Sequence, residues 1–270
     1  MQTKYTSKQP DKHGFVHFTP AEDAIWTTLI QRQNEIVKGR ACDEYIVGLD
    51  KLNFSEHHIP QPMAVSETLL AQTGWQVEPV AAVIPEDAFF TLLANKKFPV
   101  ATFIRREEDL DYIEEPDIFH ELYGHCPLLT NQKYADFVEA YGQLALTQSK
   151  KIRRLLFRLF WFTIEFGLIQ TPKGLRIYGG GILSSFSETQ SALSDENIHR
   201  PFVALDALRT PFRIDIVQPI YYIINQMKDL DQLLGEVVLK EAQRAQGLGD
   251  FLPHANINQR KGETDGKFAC

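Results

Sequence analysis

Hydrophobic residues recur mainly at helical spacing along this chain. After Thr19-Pro20, the side chains of Ile25, Leu29 and Ile36 share one apolar face, and Gly39 marks the end of the pattern. A threonine N-cap followed by proline at the first helical position is typical of a helix start. The same criteria predict further helices over residues 43–52, 63–72, 86–96, 117–124, 131–148, 151–169, 185–193, 201–208 and 228–245.

Strand signals are fewer and shorter. Runs of β-branched and aromatic residues beside glycine or proline predict strands over residues 75–83, 99–104, 176–179 and 214–218. The predicted fold class is therefore mainly α with a few short β-strands (α+β).

The chain shows no internal repeat and no Pro/Gly-rich linker, which favours one domain over residues 1–270. The polar, aperiodic ends, residues 1–18 and about 256–270, are predicted to be loose tails. No tetramerisation domain is expected, because the C-terminal region lacks a long a/d heptad helix, and no separate regulatory domain is expected beside the single catalytic domain. A monomer is predicted, with a homodimer as the alternative.

Composition narrows the class of protein. The 270 residues are 44% hydrophobic and 23% charged, as in an ordinary globular protein, and the net charge of −7 disfavours nucleic acid or an anionic membrane as a partner. The most apolar stretch, residues 155–169, contains Arg158 and Glu165 and is shorter than the roughly 18 residues of a membrane span. The N-terminus has no apolar signal-peptide core, and the three cysteines form no C-x-x-C pair, so a cytoplasmic protein is predicted.

The most informative segment is EEPDIFHELYGHCPLL, residues 114–129, with two histidines five positions apart. On an ideal α-helix, His120 and His125 would point about 140° apart. Gly124 and the following proline allow the helix to end there, so that His125 turns back towards His120. The spacing differs from H-E-x-x-H, so Glu121 is not interpreted as a zinc-protease base.

Glu165 is the first candidate for a third metal ligand. It lies in LFRLFWFTIEFGL, where a lone carboxylate is costly unless it is paired, protonated or bound to a metal. Two histidines and one carboxylate form the facial triad of non-haem Fe(II) oxygenases. Three alternatives remain open at this point: capping or core histidines, an ion pair of Glu165 with a nearby arginine (Arg153, Arg154 or Arg158), and rival third ligands at Asp136, Glu139 or Glu188.

Three blocks of the sequence, PDIFHELYGHCPLL, LFWFTIEFGL and YGGGILSSFSE, resemble the catalytic domain of the pterin-dependent aromatic amino acid hydroxylases, most closely the bacterial phenylalanine hydroxylases. The resemblance runs from about residue 15 to about residue 230. It implies a basket-like, mainly helical catalytic fold. It also implies hydroxylation of L-phenylalanine to L-tyrosine with O2, Fe(2+) and a tetrahydropterin (tetrahydrobiopterin or a related pterin).

The resemblance assigns roles residue by residue. His120, His125 and Glu165 match the family's iron ligands. Arg105 matches the arginine that binds the substrate carboxylate, and Asp117 matches the aspartate that pairs with it. A bidentate guanidinium anchored by an anion suits an amino acid carboxylate.

Trp161 and Pro116 match residues that line the pocket for the substrate ring. Ser184 and Ser185 match the S-S-F block near the iron, where a hydroxyl would hold a ligand histidine in its tautomer. For Ser184 a helix N-cap role is the alternative.

The pterin is expected against Phe89, with Val83 and Ile84 supplying backbone contacts and Glu121 reaching it through water. Phe160 is assigned to the same site, although some relatives have a polar residue there. Tyr221 matches a tyrosine near the active site whose role the sequence does not assign. Tryptophan or tyrosine hydroxylation, a zinc hydrolase with the same ligands, and a non-catalytic helical binding protein are the alternative functions.

Overall fold

The structure, a computed structural model, describes residues 4–253. The predicted tail from about residue 256 to 270 lies outside them. Long helices supply most of the core, in agreement with the predicted mainly α fold. The helices are α1 (Pro20–Ile36), α2 (Asp43–Leu52), α3 (Pro62–Thr73), α4 (Glu86–Ala94), α5 (Cys126–Leu129), α6 (Gln132–Leu146), α7 (Lys150–Phe160), α8 (Gly180–Leu183), α9 (Phe186–Ser191), α10 (Ala204–Arg209) and α11 (Glu236–Leu248).

Six short strands form two small sheets. They are β1 (Gln76–Val80), β2 (Lys97–Ala101), β3 (Gly167–Thr171), β4 (Gly174–Ile177), β5 (Ile198–Pro201) and β6 (Ile220–Ile224). β1 and β2 pair in parallel on either side of α4, and the second sheet has the order β4-β3-β6-β5. In that sheet β3 and β4 form an antiparallel hairpin, while β6 runs parallel to both β3 and β5.

The helix start at Thr19 follows the predicted chemistry. Thr19 Oγ1 accepts a hydrogen bond from the Glu22 backbone N–H, and the Glu22 carboxylate accepts one from the Thr19 N–H at 2.7 Å. These two bonds satisfy backbone donors that have no partner in the first helical turn. The helix carries Trp26, Leu29 and Ile30 into the core.

Two helices contain π-helical turns, at His120–His125 and at Trp161–Glu165. The helix predicted over residues 117–124 does not end near Gly124, so that prediction is wrong: the chain continues through the π-turn directly into α5. An i→i+5 turn contains one more residue than an α-helical turn, so residues five apart come close to one face. The sequence pattern was interpreted with α-helical geometry and missed this.

Several predicted boundaries are also wrong. The helix predicted over 151–169 ends at Phe160, and after the π-turn the chain enters strand β3. The predicted strand at 214–218 is a loop, and the strand β6 begins two residues later. β5 had no sequence signal, and the helix predicted over 228–245 is a 3-10 segment followed by α11, separated at Gly235 with φ 81°.

The prediction of a loose N-terminal tail is wrong for residues 4–18. The Tyr5 ring stacks on Phe103 with centroids 4.7 Å apart. The Lys8 N–H donates to the Thr102 carbonyl at 3.1 Å, and the Thr102 hydroxyl donates to the Lys8 carbonyl at 2.6 Å. These hydrogen bonds to the backbone do not depend on an apolar pattern, which explains why the sequence contains no signal for the attachment of this segment. Among residues 4–253, no helix combines the length and apolar character needed to cross a bilayer.

Candidate active site

A cavity of about 510 Å³ opens between the two π-turns, the β1–α4 loop and the segment that follows α10. Most of the residues predicted from sequence line it, whereas Asp117 and His125 lie behind its wall. The lining residues among those predicted are Val83, Ile84, Phe89, Arg105, Pro116, His120, Glu121, Phe160, Trp161, Glu165, Ser184 and Ser185.

Three potential ligand atoms form a small triangle at one end of the cavity. His120 Nε2 lies 3.1 Å from His125 Nε2, and Glu165 Oε2 lies 3.5 Å from the first and 3.2 Å from the second. Metal–ligand bonds of about 2.1 Å at right angles would separate the ligand atoms by about 3.0 Å, and tetrahedral angles would separate them by slightly more. The donor set therefore fits three positions around one ion, and the π-turns bring these atoms together.

Glu121 is a second carboxylate close to the two imidazoles. One of its oxygens lies within 4.8 Å of a ring nitrogen of each histidine. Burial, together with the charges of Glu165 and Asp117, raises the pKa of Glu121 well above its usual value. For Glu165, burial acts to raise the pKa, but the charges of His125 and His120 and the hydrogen bond from His125 leave it below its usual value. Glu165 is thus the carboxylate that stays ionised beside the imidazoles, and it is the better metal ligand.

Local packing fixes both imidazoles. Ser184 Oγ lies 3.0 Å from His120 Nδ1, so with Nε2 turned towards a metal, Nδ1–H donates to the hydroxyl. The His125 ring lies against Phe98, with centroids 5.0 Å apart. On its other side is Gly180, where an added Cβ would lie 2.5 Å from the ring. Gly180, at the start of α8, leaves space for this ring because it has no side chain.

Arg105 and Asp117 form a fully buried ion pair. Arg105 Nε and Nη2 donate to the two carboxylate oxygens at 2.8 and 2.9 Å, and the Arg105 backbone N–H adds a third bond. Burial acts to raise the pKa of Asp117, but the Arg105 charge and hydrogen bonds leave it lowered. Arg105 Nη1 is buried and has no hydrogen-bond partner within residues 4–253. Because Arg105 lines the cavity, this unsatisfied donor is a candidate for binding an anionic group there.

Aromatic rings form the wall beside Glu165. Trp161 packs against Phe212 and Phe166, with ring centroids 4.4 Å apart in each case. Phe212 also lines the cavity and was not among the predicted site residues; it lies between the helix predicted over residues 201–208 and the strand predicted over residues 214–218. Pro116 lies on the lining as predicted. This wall suits an aromatic ligand ring.

A second aromatic group faces the cavity on the α4 side. Phe89 contacts Phe160 edge to face, with centroids 5.1 Å apart. Val83 and Ile84 belong to the neighbouring loop that precedes α4, and Glu121 lines the cavity as well. The residues predicted for the pterin are therefore brought together, and their aromatic faces with one neutral carboxyl group fit a flat, polar-edged heterocycle.

The rival ligands are accounted for elsewhere. Glu139 pairs with Lys96 at 3.4 Å, and exposed Asp136 accepts from Gln132. Glu188 lines the cavity, but both of its oxygens accept hydrogen bonds, one from the Gln218 N–H and one from the Tyr221 hydroxyl. Burial raises the pKa of Glu188 to about 7, against the opposing effect of these two bonds.

The nearby arginines do not neutralise Glu165. Arg158 binds Asp250 through both terminal nitrogens, and Arg153 donates to backbone carbonyls. The N-cap role considered for Ser184 belongs to Ser185, whose hydroxyl accepts from the Glu188 N–H at the start of α9. The S-x-x-E pattern at 185–188 was a sequence signal for this cap.

The comparisons with known proteins show the family of this chain. Residues 1–245 match the family model of the biopterin-dependent aromatic amino acid hydroxylases. A phenylalanine-4-hydroxylase of Pseudomonas aeruginosa is 51% identical over 251 residues, which cover 93% of this chain and 96% of the relative. The Vibrio cholerae phenylalanine-4-hydroxylase is also 51% identical, over 86% of this chain and 80% of its own length.

Solved structures give the same result. The apo phenylalanine hydroxylase of Colwellia psychrerythraea superposes with a TM-score of 0.90 at 50% identity, covering 95% of this chain and all of that one. The Chromobacterium violaceum enzyme with bound iron(III) and 7,8-dihydrobiopterin gives a TM-score of 0.84 at 38% identity, over 90% of this chain and 88% of its own. The predicted fold class is thus confirmed, and the chain belongs to the biopterin-dependent aromatic amino acid hydroxylases.

Proposed function

We propose that this chain is a phenylalanine 4-hydroxylase, which converts L-phenylalanine to L-tyrosine with O2 and a tetrahydropterin on Fe(II) held by His120, His125 and Glu165. The observation that carries the proposal is the triangle of His120 Nε2, His125 Nε2 and Glu165 Oε2 at one end of the aromatic-lined cavity. The similarity of this chain to the phenylalanine hydroxylases supports the choice of metal and substrate.

The substrate is proposed to bind with its carboxylate on Arg105. The unpartnered Nη1 donor supports this role, and Asp117 holds the guanidinium in a fixed plane through two bonds. With that end fixed, the substrate ring lies along Trp161 and Pro116 towards the metal ligands. Fixing both ends places one ring carbon at the metal and supplies much of the catalytic advantage of a bound reactant.

When bound, the iron and the tetrahydropterin supply the O2 activation that ring hydroxylation requires. The two π-turns would supply three iron ligands and leave the other positions open, and burial favours the neutral form of Glu121, which is a poorer ligand than a carboxylate. Phe89 and Phe160 are proposed to contact the pterin ring, with Val83 and Ile84 supplying backbone contacts and Glu121 a water-mediated one. Ser184 is proposed to keep His120 in the metal-binding tautomer.

A product assay tests the reaction. Purified protein loaded with Fe(II) is given tetrahydrobiopterin and O2 with phenylalanine, tyrosine or tryptophan as substrate, and the products are separated by chromatography. Pterin-dependent tyrosine formation from phenylalanine is expected to be the fastest reaction. Faster hydroxylation of either other amino acid would reassign the substrate, and the absence of pterin-dependent hydroxylation of all three by the iron-loaded protein would contradict the proposed function.

The two carboxylates near the histidines provide a sharper test of the ligand set. Glu165→Gln is expected to remove tightly bound iron, since it replaces the ionised ligand by a neutral amide. Glu121→Gln is the matched control and should retain iron, because the raised pKa of this carboxyl group favours its neutral form, which the amide resembles. Metal content per protein is measured by plasma emission spectrometry. If Glu165→Gln retained iron and Glu121→Gln lost it, Glu121 would be the metal ligand in place of Glu165.

We also propose that the enzyme works as a monomer in the cytoplasm. Cys42 and Cys126 are buried free thiols, which agrees with a reducing compartment. Light scattering of the purified protein tests the assembly state, and a homodimer is the alternative.

A further inference from the structure

Glu188 is a buried carboxylate that the proposed reaction does not use. It is fully buried, lies on the cavity lining, and belongs to α9. Its Oε1 accepts from the Gln218 backbone N–H at 2.8 Å, and its Oε2 accepts from the Tyr221 hydroxyl at 2.5 Å. Each oxygen therefore connects α9 to the chain that enters strand β6.

Gln218 extends this connection into the cavity wall. Its side-chain amide donates to the carbonyls of Arg213 and Ile216, which closes the segment 212–218, here called the wall loop, onto itself. Its side-chain oxygen lies 3.4 Å from the Trp161 indole nitrogen, which donates to it. The wall loop also carries Phe212, whose ring stacks on Trp161.

Tyr221 completes the arrangement from β6. Its ring is fully buried, and its hydroxyl is placed at the carboxylate by the pairing of β6 with both β3 and β5. The sequence marked this tyrosine without assigning a role to it. In the structure its hydroxyl donates a hydrogen bond to Glu188, and Glu188 in turn accepts one from Gln218 of the cavity wall.

We infer that Glu188 and Tyr221 are positioning residues: their hydrogen bond fixes the wall loop, and thereby Phe212 and Trp161, at the distance that fits the substrate ring. This inference rests on the proposed function and adds the residues that set the shape of the ring pocket. Both residues act on the ring pocket through Gln218 and the stacked pair of rings, and Glu188 also lies on the cavity lining.

Tyr222 offers a matched control on the same strand. It is also buried, and its hydroxyl forms a 2.7 Å hydrogen bond with Thr210, which does not line the cavity. Tyr221→Phe and Tyr222→Phe each remove one buried hydroxyl from β6, so their melting temperatures should fall by similar amounts. Only Tyr221→Phe is expected to raise KM for phenylalanine, by about five- to tenfold, with a smaller change in kcat and unchanged iron content.

Two further measurements would not change through a general loss of stability. They are the preference among amino acid substrates and the coupling, which is the fraction of pterin oxidation that yields hydroxylated product. In Tyr221→Phe, the share of pterin oxidation that yields tyrosine should fall, and the preference for phenylalanine over tryptophan should narrow, because Glu188 is held less firmly against the wall loop without the Tyr221 hydroxyl. Glu188→Gln is the second variant, since its amide keeps an acceptor for Gln218 but loses the one for Tyr221, and it should show the same pattern.

The outcomes separate the inference from the proposed function. If the unaltered protein makes no tyrosine, the proposed function fails. If the unaltered protein is active but Tyr221→Phe and Tyr222→Phe have the same KM, coupling and substrate preference, the positioning role is wrong. If Tyr221→Phe does not fold, the same comparison is made with Glu188→Gln, and unchanged kinetics in that variant overturn the inference.

Discussion

The two ends of the cavity satisfy their charges in different ways. At one end, Arg105 and Asp117 already form a closed bidentate pair, and one guanidinium nitrogen remains for a ligand. At the other, His120, His125 and Glu165 have their ligand atoms within 3.5 Å of one another. The charges at the arginine end are thus paired within the protein, whereas the ligand atoms at the other end are close enough together to bind a cation.

This difference indicates what each end binds. A site with one spare donor suits a ligand that comes and goes, because its own ion pair persists when the ligand leaves. A site that crowds two imidazoles and an ionised carboxylate suits a resident ion, whose charge stabilises the carboxylate. We therefore expect changes at the metal end to remove activity and changes at the arginine end to weaken substrate binding.

The largest effect is expected from His120→Ala. With two protein ligands left, iron binding should weaken by more than about a hundredfold, and tyrosine formation should fall below detection. Iron content and turnover are measured together. His17→Ala, which changes a histidine with an exposed side chain, is the control and should behave like the unaltered protein. Normal turnover in His120→Ala would contradict the metal assignment.

A smaller effect is expected from Arg105→Lys. Lysine keeps the charge but loses the planar fork, so KM for phenylalanine should rise about 10- to 100-fold while iron content stays the same. Arg106→Lys changes the exposed neighbour and should leave KM unaltered. Steady-state kinetics over a range of phenylalanine concentrations give both values. An unchanged KM in Arg105→Lys would remove its assigned role.

The smallest effect concerns the metal-free protein. Burial lowers the pKa of His120 to about 4, against an unfolded value near 6.5. Between these values the unfolded chain binds a proton that the folded chain does not, so the contribution of His120 to the free energy of unfolding should decrease as the pH falls from about 6.5 to about 4. The full change is about 3 kcal/mol, of which about 2 kcal/mol falls between pH 7 and pH 5.

Urea denaturation of metal-free protein at pH 7 and pH 5 measures this slope. The His120→Gln variant should lack the contribution, so its stability should fall less over the same interval. Asp117, whose pKa is lowered by its arginine, should contribute nothing in this range. Equal slopes in the two proteins would show that His120 is not held neutral by burial.

The sequence identified most side chains of the candidate site but not how they meet. His120, His125 and Glu165 were chosen from residue type and spacing, and Arg105 and Asp117 from resemblance. The π-turns could not be foreseen, because the hydrophobic pattern does not register one extra residue in a turn. The part played by Glu188 was also missed, since its partners lie about 30 residues away in sequence.

The fold was predictable where local chemistry decides it. The capping box at Thr19 and Glu22 marked the start of α1 correctly. Strand β3 was hidden, because its residues are apolar and continue the pattern of the preceding helix. The N-terminal segment was missed because its attachment depends on hydrogen bonds between Lys8 and Thr102, which no periodicity reports.

The two π-turns make the site sensitive to chain length. If one residue were deleted within His120–His125, every ligand type would remain, yet the turn would revert to α-helical geometry and the second imidazole would rotate by about 100° for each position shifted. The same holds for Trp161–Glu165 and its carboxylate. Insertions and deletions in these turns are therefore expected to be less tolerated during evolution than many substitutions on the cavity wall.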